Sequence, residues 1–174
     1  MLVSGYAAGR HHIRIGGGSN QLCLPEEPQL GPQNHTKTGV YSGRLYGIQY
    51  NTDGDNYRGG TTVYHGKPTP CAVCYVPQRS AQLMIPASNT CPVGWTREYN
   101  GYLMSAYSWP VGMGADKAYH HSTSYICVDS APEVTTGLVN QRQANLYFVK
   151  VHCGTLPCSK FNVGLDAPCV VCTK

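Results

Sequence analysis

Where this chain shows a pattern, polar and apolar side chains alternate with a period of two. Tyr46, Ile48 and Tyr50 alternate with Leu45, Gly47 and Gln49, and Tyr147, Val149 and Val151 alternate with Leu146, Phe148 and Lys150. Successive side chains of a strand point to opposite faces, so both stretches predict half-buried or central strands. Further strands are expected at residues 61–64, 72–76, 82–85, 97–104 and 124–128, and the N-terminal MLVSGYAAGR reads as a chain starting inside a strand. Gly16-Gly17-Gly18, Asp53-Gly54, Gly59-Gly60 and Trp109-Pro110 supply the turns between them. Nowhere do apolar residues recur at three-four spacing over the roughly ten residues that a helix needs. The expected fold class is all-β.

The pattern also repeats. PCAVC at Pro70 returns as PCVVC at Pro168, 98 residues later. LYGIQYNT from Leu45 returns as LYFVKVHC from Leu146, SGY at Ser4 as NGY at Asn100, and CLPEEP at Cys23 as CVDSAP at Cys127. Self-similarity at one long period predicts two pseudo-symmetric, disulfide-stapled β halves forming one compact unit. The first repeat takes residues 1–76, a connecting segment with a strand of its own takes 77–90, and the second repeat takes 91–174. Within the second repeat Cys91 and Cys127 read as natural partners that close a loop over a Tyr-rich hairpin. The position matching Cys91 falls upstream of Met1, so Cys23 is expected to lack its partner, as in a truncated first repeat. Cys71, Cys74, Cys153, Cys158, Cys169 and Cys172 leave 15 connectivities open.

Composition narrows the function. The 174 residues include 20 Gly, 12 Pro and 13 Tyr but only 2 Phe, and charged residues are 13%, about half the usual share. Net charge is +4 with the basic residues scattered, which does not match the clustered footprint of a nucleic-acid binder. No apolar run approaches the ~18 residues of a membrane span. The N-terminus has neither the basic start nor the apolar run of a signal peptide, so a secreted protein would have had its leader removed.

Four thiolates from CAVC and CVVC could hold a tetrahedral zinc. Pro precedes both pairs, further cysteines stand close by and no Gly-rich knuckle follows, so disulfides in an oxidising compartment are expected instead. Asp53 and Asp55, in NTDGDN, alternate like calcium ligands but lack the closing Glu of a complete loop, and a turn explains them. His11-His12 and His120-His121 are doublets; on a strand their rings would point to opposite faces, so neither doublet chelates a metal alone. No metal and no cofactor are expected. There is no GxSxG, HExxH or P-loop, and glycoside hydrolysis needs two cooperating carboxylates, whereas none of the nine acidic residues sits in a context that suggests a raised pKa. The chain reads as a non-enzyme.

GGGSNQLCLPEEPQ, PCAVCYV, LMIPASNTCPVGWTREYNGYLMSA and PCVVCTK resemble the non-collagenous carboxyl-terminal module of the short-chain, spongin-type collagens of sponges and related secreted proteins of marine invertebrates. The resemblance spans essentially the whole chain. It implies an extracellular protein with a role in matrix assembly and collagen-like matrix chains as partners. The chain departs from that pattern in having no Gly-X-Y run. That departure turns the preferred expectation towards a stand-alone, lectin-like recognition module for glycans or glycoproteins. The structural matrix module is the alternative, and a homo-oligomer is expected in either case. The glycan-binding candidates are Tyr6, His11, His12, Arg14 and Asn20 in one duplicated loop and Tyr102, Tyr107, Trp109, His120 and His121 in the other, since aromatic faces and polar tips suit sugar rings. Cross-strand packing accounts equally for each Tyr. Asn34 opens the one Asn-X-Thr glycosylation sequon.

Overall fold

A computed structural model describes residues 1–12, 17–31, 43–52, 64–107, 122–136, 143–161 and 164–174. Arg14, Asn34, Asp53, Asp55, Trp109, His120 and His121 lie outside the described residues. Among the described residues there are nine strands and no helix: β1 (Val3–Gly9), β2 (Leu22–Pro25), β3 (Tyr46–Tyr50), β4 (Pro70–Val73), β5 (Gln82–Pro86), β6 (Thr96–Ser105), β7 (Ile126–Asp129), β8 (Ala144–Phe148) and β9 (Pro168–Thr173). They form one curled sheet in the order β2-β1-β3-β8-β6-β9-β5, with β4 also paired to β1 and β7 to β6. The protein is all-β and disulfide-stapled, as its alternating pattern predicts.

The pairings of the first four strands recur in the last four. Gly5 opposes Cys71 and Pro25, and Gly101 opposes Cys169 and Asp129. Ala8 opposes Gly47 as Met104 opposes Phe148. The isolated bridge of Gln49 to Pro68 matches that of Lys150 to Asp166. Even the link that leaves the strand end recurs, Glu26 N–H to Ser4 O and Ser130 N–H to Asn100 O.

In each set a disulfide joins the two strands that flank a central one. Cys23 on β2 bonds Cys71 on β4 across β1, and Cys127 on β7 bonds Cys169 on β9 across β6. Strands on either side of a common neighbour lie about 9–10 Å apart in a flat sheet. Here the bonded Cα atoms are 5.6 and 5.7 Å apart, so the sheet creases sharply along β1 and β6. The crease leaves no room for a side chain. A Cβ on Gly5 would collide with the carbonyl oxygen of Leu24, and one on Gly101 with that of Val128.

This register corrects two expectations. Cys91 bonds Cys172, not Cys127, and Cys23 is not the orphan. Cys172 opposes Arg97 near the start of β6, whereas Cys127 opposes Leu103 six residues further along. At about 3.3 Å per residue the two levels are roughly 20 Å apart, and Cys91, just before β6, reaches only the first. A fourth bond joins Cys153 to Cys158, and the free thiol is Cys74.

The two strand sets meet at the parallel pair β3–β8, where Ile48, Gln49 and Tyr50 lie beside Ala144, Asn145 and Leu146. Inside the curl, Ile48, Tyr50, Met104, Val128, Leu146 and Phe148 form the larger apolar cluster. Leu103, Cys127, Ala167, Cys169 and Val171 form the second. The strand predicted from Leu146 through Val151 instead starts at Ala144 and ends at Phe148. Beyond that point Val149 and Val151 bond the backbone of residues 165 and 167 as well as Leu103.

Replacing Gly101 with Ala should cost about 1–3 kcal/mol through overpacking at the crease, read as a lower midpoint in urea unfolding. Gly47 is the control, because a methyl group added there would meet nothing within 4 Å. Gly47→Ala should stay within about 0.5 kcal/mol of the parent.

Candidate functional site

Two nearly identical motifs occupy opposite environments. In β9, PCVVC lies between β6 and β5, with Leu83 opposite Cys172 and Met84 opposite Val171. Val170, Val171 and Cys172 are 0, 5 and 0% exposed. In β4, PCAVC pairs with β1 alone among the described residues. Val73 is 43% exposed, and Ala72 and Cys74 are also exposed. Tyr75 and, at the start of the neighbouring strand, Leu2 add further exposed apolar surface. Backbone N–H and C=O groups along such an edge are a template for another strand. The candidate site is therefore the bare edge of β4, with the Cys74 thiol at its end.

Sequence comparison of the two motifs marks Cys74 as the counterpart of Cys172 as clearly as it marks Cys71 as that of Cys169. What it does not show is which cysteine of each motif faces the crease. The registers show it: Cys71 and Cys169 oppose the crease glycines, which leaves Cys74 and Cys172 for a bond outside the crease.

Among the described residues the glycan-binding candidates fall on separate elements and not in one cluster. Tyr6 is exposed on β1, whereas Tyr102 packs edge-on against Phe148 beside the core. His11 and His12 follow the end of β1, and their rings stack at 4.8 Å instead of pointing apart, because the chain there turns. His11 is buried against Tyr46, and the His12 ring lies 2.9 Å from the Gln143 carbonyl, tying the two strand sets together. Asn20 is exposed next to Ser19, whose carbonyl accepts the Ser124 N–H from the other set.

Tyr107 does belong to a cluster, though with residues the sequence pattern does not single out. Its ring lies 5.3 Å from that of Tyr147. The Tyr147 hydroxyl accepts the side-chain amides of Asn51 at 3.0 Å and Asn145 at 3.4 Å. Gln49, Asn51, Asn145 and Tyr147 share the face of the β3–β8 pair opposite the core, as the period of two requires. Alternation across the junction is the available signal, but it needs the pairing of β3 with β8.

Burial acts on three tyrosine hydroxyls. The Tyr50 hydroxyl donates to the Glu133 carbonyl, and burial pushes its pKa up to about 12. Burial likewise raises Tyr99, which donates to the Cys127 carbonyl, and Tyr147. Among the described residues no cluster of three His, Cys, Asp or Glu is arranged to hold a metal ion.

No known protein family matches the chain, and no solved structure matches it. Four disulfides are consistent with a secreted or extracellular protein, and none of the described residues forms a helix long and apolar enough to cross a membrane.

Disulfide mapping should recover the four bonds with Cys74 as the thiol alkylated without denaturant. In the loop-entropy account, removing the bond between Cys91 and Cys172, 81 residues apart, should cost about 4–5 kcal/mol, and removing that between Cys153 and Cys158, 5 apart, about 2. Alkaline unfolding tests the buried phenols. Their protons stay on in the folded state after the unfolded phenols ionise near 10.0, so the folded state binds more protons and stability falls as pH rises. The Tyr50 contribution is complete below that value and lost as pH passes about 12, and Tyr50→Phe should flatten the decline.

Proposed function

We infer that this protein is a non-enzymatic structural module of the extracellular matrix, which joins to other chains by adding a cysteine-bearing strand to the edge of β4. One observation carries the reading: among the described residues no strand covers PCAVC beyond β1, where PCVVC is covered by β5 and bonded to Cys91. A free thiol on an apolar strand edge is an aggregation hazard in a monomer and a connection point in an assembly. The resemblance to the carboxyl-terminal module of sponge short-chain collagens supports the same reading, with collagen-like matrix chains as the partners.

Glycan recognition is the second reading, and the Tyr107–Tyr147 pair with its two asparagine amides is what favours it. An aromatic face beside amide groups suits a neutral sugar ring. A glycan array probed with the parent and with Tyr107→Ala decides this: binding that drops in the variant supports it, and silence across the array removes it.

For the assembly reading, the material to examine is protein isolated from its native matrix without reduction. Cys74 should be found in an interchain disulfide, and Cys74→Ser should abolish covalent linkage while changing stability by no more than about 0.5 kcal/mol, because the side chain is exposed. Quantitative alkylation of Cys74 in native matrix material would overturn it.

A further inference from the structure

The junction between the two strand sets is not self-complementary. The first set contributes Ile48 and Tyr50, each 3% exposed, to one apolar cluster with Val128 of the second, against which the partly buried Tyr102 and Ile126 also pack. Each side has a counterpart elsewhere in the molecule. Tyr6 opposes Leu24 as Tyr102 opposes Val128, and Ala8 opposes Leu22 as Met104 opposes Ile126. Thr69 N–H bonds Ile48 O as Ala167 N–H bonds Val149 O, and Tyr50 N–H bonds Lys67 O as Val151 N–H bonds Leu165 O.

The counterparts on the acceptor side are uncovered, while Val149 and Val151 pack against the apolar cluster of their own set and keep part of their surface accessible. Tyr6, Leu22 and Leu24 are 50, 45 and 36% exposed. The residues beside the first patch, 43–45, are exposed too, although their counterparts Ala144, Asn145 and Leu146 pair with β3. The molecule therefore has at one end the acceptor face, and at the other the inserting segment, of a contact that it already makes once internally.

We propose that a second copy of this chain occupies the Tyr6–Leu22–Leu24 face, docking head to tail through the segment that carries Val149 and Val151. The two surfaces differ, so the contact is heterologous and each added copy leaves a fresh pair of ends, giving a ring or a filament. Arg44 would come beside Lys150, whose charge Asp166 neutralises at 3.1 Å. The inference rests on the assembly reading but uses a different surface, so the two can fail separately.

Sedimentation velocity on the purified chain, with Cys74→Ser in every sample, isolates this contact from the thiol. The expected result is reversible association beyond two copies, weakened about tenfold or more by Leu22→Lys, a change at an exposed position. Val151→Lys should block the other end. Each variant alone should be monomeric, and their mixture should form a one-to-one complex that grows no further. Circular dichroism and the four disulfides serve as the folding check, and if Val151→Lys fails it, Leu22→Lys and Tyr6→Ser still decide. A monomer at every concentration, association that stops at two, or association unaffected by Leu22→Lys would each overturn the proposal. An interchain Cys74 disulfide in native matrix material, a separate measurement, would leave the assembly reading standing even then.

Discussion

The crease along β1 and β6 is the constraint on which the rest of the structure depends. Bringing the strands on either side of a common neighbour to 5.6–5.7 Å forces the sheet to fold over at that line. A folded sheet can then enclose Ile48, Met104, Leu146 and Phe148 without a helix or a second sheet to cover them. Backbone pairing alone would not hold so tight a bend. It needs a residue without a side chain at its inside, Gly5 or Gly101, and a covalent bond across it. Each requirement is useless without the other: a side chain at the glycine would push the sulfurs apart, and without the bond the crease has no reason to stay closed.

Much of this is legible in the alternating pattern and little of it in the cysteine spacing. The period-two stretch from Leu45 locates β3, because a half-buried strand needs that alternation to satisfy two different faces, and the strands expected at 82–85 and 97–104 fall within a residue of β5 and β6. The matching of PCAVC with PCVVC and of SGY with NGY finds the equivalent positions for the same reason. Spacing misplaces the partner of Cys91 because proximity in sequence says nothing about level along a strand. β6 is ten residues long, and only its register against β7 and β9 shows that Cys91 and Cys127 sit at opposite ends. The glycan-binding set rests on another assumption. It assumes that loops alike in sequence present alike, yet Tyr6 faces solvent and Tyr102 lies against the core.

That difference follows from how the strand sets meet. Equivalent residues would have equivalent surroundings only if the two sets joined through identical surfaces. They join instead through a parallel pair offset along the strands, so one set's Ile48 and Tyr50 share an apolar cluster with the other set's Val128, and Tyr102 packs against it. The amide–tyrosine face formed by Asn51, Asn145 and Tyr147 exists only at this junction, and no single repeat contains it.

The free thiol belongs to the same asymmetry. Nothing in the chemistry of PCAVC separates it from PCVVC: both place a cysteine opposite a crease glycine and a second cysteine three residues on. The second thiol is quenched in β9 by a strand and a loop that follow β4 in sequence and lie on the far side of β9. β5 can serve only one of the two edges, and its loop leads directly into β6, which commits it to β9. With β5 committed there, no strand among the described residues covers β4. The copy in β9 shows how such an edge is satisfied within this chain, by antiparallel pairing with β5 and by the bond from Cys172 to Cys91.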